Sequence, residues 1–349
     1  CDWSSDVCSS DLARDLSGIA PLAEVFQTTT ALAEITIEHA LGHLHRQHAE
    51  QFGEPVGAAS GTLQQLHVVG MGKLGGKELN VSSDIDLVFV YPEDGETNGA
   101  RTISNQEFFA RLGRRLIAAL SEITADGSVF RVDMRLRPYG DGSPLVASFD
   151  MLENYFVTQG RDWERYAWIK ARTLTGERGA ELAELVRPFV YRRHLDYHAL
   201  ASLRELHRQI RNEVERRDIA GNIKLGRGGI REVEFVVQVF QLIRGGREAA
   251  LRAQPTLEVL PLLAARNLLP ESAARNLSEA YAFLRKLEHR LQYLDDQQTH
   301  VLPSAQADRA LVAEAMGFAD APSLLTTLEA ERDRKSTRLN SSHMSESRM

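Results

Sequence analysis

Cysteine is nearly absent from this sequence. Of 349 residues only Cys1 and Cys8 are cysteine, and both stand in a stretch at the start that does not read like protein. From residue 13 onward there is none, which excludes disulfides, thiolate catalysis and cysteine-bound zinc from that part. No apolar run approaches the roughly 20 residues that a membrane span needs, so no membrane partner is expected. Aromatic residues are sparse at 7%, and basic charge does not prevail. Lys and Arg number 41 against 48 Asp and Glu, a formal net charge of −7. That balance argues against a nucleic-acid partner, which calls for a basic surface. It leaves room for a local basic pocket that takes a nucleotide or a polyphosphate. The rest is ordinary globular composition, 43% hydrophobic and 26% charged, and the expected location is cytoplasmic.

Residues 1–12 and 333–349 resemble translated sequencing-library adapter. The stretches 2–12 and 333–343 can be back-translated to one oligonucleotide read on opposite strands. They are expected to be assembly artefacts, and the fold is read from residues 13–332.

Apolar residues recur at helical spacing over 19–50, and a Gly/Ala/Ser-rich linker is expected over 53–61. A strand over 63–69 runs into Gly70-Met71-Gly72-Lys73-Leu74-Gly75-Gly76. A second, mostly buried strand is expected over 85–91, a loop over 92–100, an amphipathic helix over 105–124 and a third strand over 129–137. Beyond residue 150 the pattern predicts helices over 150–173, 180–192, 196–218, 229–244, 256–266, 271–296 and 308–332. The expected fold class is α+β, a small mixed sheet with helices flanked by a large helical bundle.

The glycine segment matches the dinucleotide-binding fingerprint in form only. That fingerprint opens a full crossover helix leading to a parallel strand. Here Asn80-Val81-Ser82-Ser83 ends any helix early, and the next strand begins with carboxylates. A phosphate-binding loop of the Walker type also fails, because Lys73 is followed by Leu74 and Lys77 by Glu78.

The aspartates suggest a third chemistry. Asp84 and Asp86 are two apart on a strand and leave the same face, while Ile85 and Leu87 turn into a core. Carboxylates that close repel unless they share cations, and oxygen-only ligands select a hard cation such as Mg²⁺ or Mn²⁺. A Gly-Gly turn on a short helix followed by Asp-x-Asp supplies what nucleotidyl transfer needs, backbone N–H groups for phosphate and metal for the reacting phosphorus. The alternative is a solvated strand end with two surface acids. On the third strand Arg131, Asp133, Arg135 and Arg137 are expected to share one face, making Asp133 a third metal ligand and Arg135 and Arg137 phosphate clamps. The alternative is an edge strand with surface ion pairs. A basic glycine loop, residues 224–229, opens an apolar helix, so Lys224 and Arg227 are candidates for binding phosphate; a helix-packing turn is the competing reading. His39/His43 and His194/His198 have helical spacing without a third ligand and read as surface residues. Trp163 and Trp168 read as core.

Gly72-Lys73-Leu74-Gly75-Gly76-Lys77-Glu78-Leu79-Asn80 with Ser82-Ser83-Asp84-Ile85-Asp86-Leu87 closely resembles the glutamine synthetase adenylyltransferase/adenylyl-removing family of DNA polymerase β-like nucleotidyltransferases. The resemblance continues through Asp133–Pro138, Trp163–Arg172 and Lys224–Phe235, and so covers most of residues 63–246. It implies a catalytic core over 61–178, preceded by a helical segment over 13–60 and followed by a helical bundle over 179–332. It implies Asp84, Asp86 and Asp133 as catalytic residues holding two Mg²⁺, with Mn²⁺ as a substitute. Nucleotide or phosphate would meet Gly75, Gly76, Ser83, Arg135, Arg137, Lys224 and Arg227. The wording of 80–86 and 225–232 resembles the N-terminal module of the family, which removes AMP from an adenylylated tyrosine of glutamine synthetase by phosphorolysis. With one Asp-x-Asp module in view, the chain is expected to be part of a longer bifunctional protein. The implied partners are glutamine synthetase, the PII signal protein, inorganic phosphate and adenine nucleotide. Adenylyl transfer from ATP to a protein tyrosine, and a non-catalytic sensing module that binds PII protein, stay open.

Overall fold

The computed structural model describes residues 12–125, 127–140, 142–192, 205, 208, 221–294 and 298–341, with side chains to residue 333. The helix expected over 196–218 and the His194/His198 pair lie outside the described residues, apart from residues 205 and 208. The described chain divides into two units. One comprises residues from Phe26–Leu79 and Ser83–Leu195; the other takes its residues from Cys1–Val25, Asn80–Ser82 and Asp196–Met349.

The first unit is built on a mixed sheet. Strands β1 (Pro55–Gly57) and β4 (Gly95–Thr97) form a separate antiparallel pair. The main sheet holds β2 (His67–Gly70), β3 (Ile85–Tyr91), β5 (Val132–Asp133), β6 (Val146–Ser148) and β7 (Arg172–Thr173). Strand β2 runs antiparallel to β3 and to β7. The other edge of β3 is shared by two short parallel strands, β5 beside its start and β6 beside its end. An antiparallel β2–β3 pair cannot be a βαβ unit, which removes the dinucleotide-binding reading of the glycine segment.

Strand β3 is apolar at every position except Asp86, and every residue but Asp86 is buried. Ile85, Leu87 and Phe89 join Val68 of β2 in a core closed by helix α3 (Asn105–Ser121), which contributes Phe108, Phe109, Leu112, Leu116 and Leu120. Burying side chains of this size is worth roughly 1.5–3 kcal/mol each. Helix α3 starts where Ser104 accepts a hydrogen bond from the Glu107 N–H at 3.2 Å. Two further helices of this unit are α1 (Leu22–Phe52), which starts in the other unit, and the single turn α2 (Gly72–Gly75).

Several expectations are corrected. The linker over 53–61 and the loop over 92–100 contain β1 and β4. The Asn105 amide ties them together by donating to the carbonyls of Val56 at 2.9 Å and Glu93 at 3.0 Å. The helix expected over 150–173 is α4 (Phe149–Thr158), then α5 (Asp162–Trp168), then β7. It breaks at Gly160, where a Cβ would lie 2.4 Å from the Phe189 ring. Phe189 belongs to α6 (Gly179–Val190). Trp168 is buried as expected, but Trp163 is 39% exposed.

The second unit is helical among its described residues: α7 (Ile230–Arg244), α8 (Thr256–Ala265), α9 (Glu271–Tyr293), α10 (Gln306–Ala315) and α11 (Ala321–Ser341). The last two replace the single helix expected over 308–332, separated at Gly317, whose φ of 83° suits glycine. No helix among the described residues is long and apolar enough to cross a membrane.

Helix α9 is the axis of this unit. Leu277, Tyr281, Leu284, Leu287 and Leu291 fill its core, yet Arg285, Glu288, His289, Arg290 and Gln292 are buried as well. Two residues from far away in the chain are among their partners. The Asn80 amide donates to Glu288 Oε2 at 2.8 Å and Gln292 Oε1 at 3.2 Å, while its oxygen accepts from Arg285 and, at 2.9 Å, from His289 Nε2. Asp15 accepts from Arg290 at 2.5 and 2.9 Å and from the Tyr293 hydroxyl at 2.8 Å.

Burial alone would raise the Asp15 pKa; the hydrogen bonds from His289, Arg290 and Tyr293 overcome it and hold the carboxyl well below the ordinary range. Burial pushes His289 the other way from its partner Asp15 and lowers it; His48 and His67 are lowered by burial too. A depressed folded-state histidine contributes stability above its ordinary pKa of about 6.5 that is lost as pH falls toward the folded value. The melting temperature should therefore fall between about pH 7.5 and about pH 5.5. His289→Gln should flatten that slope, leaving the share due to His48 and His67, as scanning fluorimetry across the range will read.

Candidate active site

The sheet decides which carboxylates meet. In the parallel β3–β5 pair Asp86 is the register partner of Asp133, so the two leave the sheet on one face; Asp84 precedes β3 by one residue. The Ile85 N–H donates to the Arg131 carbonyl at 2.9 Å and locks this register.

The side chains are held by arginines. Asp84 Oδ1 accepts from Arg131 Nε at 2.7 Å. Asp133 accepts from Arg135 three times, from its N–H at 2.8 Å, from Nε at 2.7 Å and from Nη2. Those hydrogen bonds hold the Asp133 carboxyl below its ordinary pKa, against burial that would raise it. Among the described residues no three His, Cys, Asp or Glu side chains are gathered closely enough to hold a metal ion. The backbone register suits a shared cation, and the donor set is all carboxylate oxygen, which suits Mg²⁺ or Mn²⁺. The carboxylates of residues 84 and 133 are turned to their arginines.

The glycine turn forms the floor beside Asp86. Met71 N–H donates to the Asp86 carbonyl at 2.9 Å. Gly72, at φ +53°, comes so close that a Cβ on it would lie 2.6 Å from Asp86 Oδ2. Gly75 and Gly76 lie at the end of α2 and not at its opening. Their N–H groups donate to Met71 and Gly72 carbonyls, each at 3.0 Å, so they are spent inside the turn. This corrects the expectation that these two N–H groups face a phosphate. What Gly75 provides is close approach, since a Cβ there would lie 1.8 Å from the Lys170 carbonyl oxygen.

The third strand is shorter than expected, and this changes the arginines. Strand β5 ends at Asp133, and the Arg135 N–H turns back onto the Asp133 side chain. Alternation stops there, so Arg135 and Arg137 do not share a strand face with Asp133. Arg135 is exposed, and Arg137 donates from its N–H and from Nη1 to the Met134 carbonyl at 3.2 and 3.0 Å. Ser83 is buried just before Asp84.

Lys224 and Arg227 belong to the other unit. Their loop packs as a turn ahead of α7: Asn222 Oδ1 accepts from the N–H groups of Lys224 at 2.9 Å and Leu225 at 2.8 Å. His39 and His43 are exposed on α1, His39 beside the Ile35 carbonyl at 2.9 Å and His43 beside Gln47 at 2.8 Å. Reading the sequence did not single out Gly72, Arg131, Lys170 or Arg172 as site residues. Arg131 had left a signal in its place two residues before Asp133, and Gly72, Lys170 and Arg172 in lying within the motifs that carry the family resemblance.

A small mixed sheet of this kind, with helices and paired aspartates on adjacent strands, is consistent with a nucleotidyltransferase core. Comparison with known proteins agrees. The family model for glutamate-ammonia ligase adenylyltransferase matches residues 12–187, and that for GlnD PII-uridylyltransferase matches residues 204–346. The chain belongs to the glutamate-ammonia ligase adenylyltransferase family. Its relatives include three proteins named bifunctional glutamine synthetase adenylyltransferase/adenylyl-removing enzyme. Those from Nitrosomonas eutropha, Aromatoleum aromaticum and Chromobacterium violaceum are each 59% identical over 92% of this chain, which covers 35%, 34% and 36% of their lengths. The chain thus spans about a third of the length of the curated relatives it matches.

The tightest constraint in the site is steric. Gly75→Ala should destabilise the first unit by about 3 kcal/mol, the upper end for overpacking, because a main-chain oxygen cannot step aside for the methyl group. The denaturant midpoint of the variant measures it.

Proposed function

We propose that this chain removes AMP from an adenylylated tyrosine of glutamine synthetase by phosphorolysis, as one half of a bifunctional cytoplasmic enzyme that regulates nitrogen assimilation. The observation that carries the reading is the register pairing of Asp86 with Asp133, with Asp84 two residues from Asp86, on strands beside a glycine turn. The relatives' printed names include both adenylyl transfer and adenylyl removal. The wording of residues 80–86 and 225–232, similar to the N-terminal module of the family, favours removal.

In this reading Asp84, Asp86 and Asp133 hold Mg²⁺, which when bound polarises the reacting phosphorus and offsets charge on the leaving oxygen. Arg131 and Arg135 then turn from the carboxylates to the phosphate oxygens, which guanidinium groups meet in bidentate fashion. Ser83 and the glycine turn border the nucleotide. Inorganic phosphate attacks the α-phosphorus, the bond from phosphorus to the tyrosine oxygen breaks, and ADP and tyrosine are the products. The proton given up by the attacking phosphate ends on the tyrosine oxygen. Phosphate is already anionic and tyrosine leaves with an ordinary pKa of about 10, so no strong base is required.

Adenylylated glutamine synthetase with phosphate and Mg²⁺ should yield ADP, and chelation should abolish the reaction. Asp84→Asn should lower kcat by at least about a hundredfold, roughly 2.7 kcal/mol of barrier. ADP formation with no loss in that variant would discard the reading.

The match to a PII-uridylyltransferase model over residues 204–346 favours a second role for the helical unit, docking of PII protein. Retention of PII on an immobilised Asp84→Asn variant separates that role from catalysis.

A further inference from the structure

We infer that Arg172 and Lys170 are positioning residues for the reaction, holding the glycine turn against Asp86; the inference rests on the nucleotidyl-transfer reading above. The turn has little to hold its own shape. Three of the five residues from Gly72 to Gly76 are glycine, with no side chain to pack and the largest freedom to lose. A single helical turn is also unfavourable to nucleate. Its shape must come from outside, and the neighbouring segment 170–172 supplies it at three points.

At the front, Arg172 on β7 is the register partner of Gly70, the last residue of β2 before the turn. In the middle, Arg172 Nε donates to the Gly75 carbonyl at 3.1 Å and Nη2 to the Leu74 carbonyl at 3.0 Å. These are the carbonyls at the negative end of the turn, where a cation is favoured. The same guanidinium pairs with Glu34 of α1. The Lys170 carbonyl lies against Gly75. At the rear, Lys170 Nζ donates to Glu78 Oε2 at 2.8 Å, with both side chains buried, and the Glu78 N–H donates to the Lys73 carbonyl at 2.9 Å.

What the clasp holds in place is Gly72. A Cβ on Gly72 would meet Asp86 Oδ2 at 2.6 Å, so the turn and that carboxylate are close neighbours and a shift of the turn changes the surroundings of the carboxylate. Both residues act through the turn and touch no reacting atom. Lysine cannot do what arginine does at position 172, since one ammonium group cannot span two carbonyls and a carboxylate in a planar fork.

The test compares wild type, Arg172→Lys and Arg172→Met in the 349-residue chain by three measurements. These are amide exchange at Gly75 and Gly76, ADP formation from adenylylated glutamine synthetase, and Mn²⁺ binding followed by electron paramagnetic resonance. In Arg172→Lys the two amides should exchange faster, kcat should fall at least about tenfold with the KM for phosphate nearly unchanged, and Mn²⁺ should bind more weakly. Arg172→Met should do the same to a greater degree; if it does not fold, Arg172→Lys decides. Unchanged exchange overturns the clasp. Faster exchange with unchanged kcat and Mn²⁺ affinity, and only a lower melting temperature, reduces it to a structural brace. A wild type that binds Mn²⁺ but forms no ADP overturns the phosphorolysis reading instead, and the weaker Mn²⁺ binding of the variants then still supports the clasp.

Discussion

Two like charges facing each other across neighbouring strands, Asp86 and Asp133, are the constraint on which the first unit turns. Such a pair costs free energy in any folded sheet, more so as water is excluded. It persists because the strand carrying Asp86 has no other way to lie. Every other side chain of β3 is buried. A slip of one residue would turn Asp86 into the core face that Ile85, Leu87 and Phe89 fill. Apolar burial therefore sets the register, and the register forces the acids together. Arg135 answers the charge of Asp133, and Arg131 that of the neighbouring Asp84.

The glycine turn shows the same division of labour at a smaller scale. Its residues provide absence, the missing Cβ atoms at Gly72 and Gly75 that let a carboxylate and a main-chain oxygen come close. Charged groups from a segment about a hundred residues later provide the shape. The turn is thus a place where backbone meets backbone, framed by side chains from elsewhere.

Much of this was legible in the sequence, for identifiable reasons. The apolar run of β3 after Asp86 and the helical period of the α3 stripe are visible locally, and so is the Asp-x-Asp spacing, although Asp84 stands just ahead of the strand. What was not readable depends on contacts distant in the chain. Strand β5 stops after two residues because Asp133 captures the Arg135 N–H, which the alternation of charged and apolar residues conceals. The glycines invited a reading as phosphate-binding amides, whereas Gly75 is required by the Lys170 carbonyl. Strands β1 and β4 were hidden in segments rich in turn residues, and the arginine at 172 gives no sign of its target. Asn80 read as a helix breaker, and nothing local revealed the four polar side chains of α9 awaiting its amide.

That last feature bears on how this protein can be taken apart. Asn80–Ser82 are grouped with the helical unit although the chain on both sides is grouped with the sheet. The boundary between the units is crossed repeatedly, so no single cut in the polypeptide separates them. A shortened gene product ending before residue 196 would keep Asn80 while discarding Arg285, Glu288, His289 and Gln292, stranding four buried polar groups on the missing piece and one amide on the piece retained. Recombination that exchanges such a module between genes must carry both stretches across together.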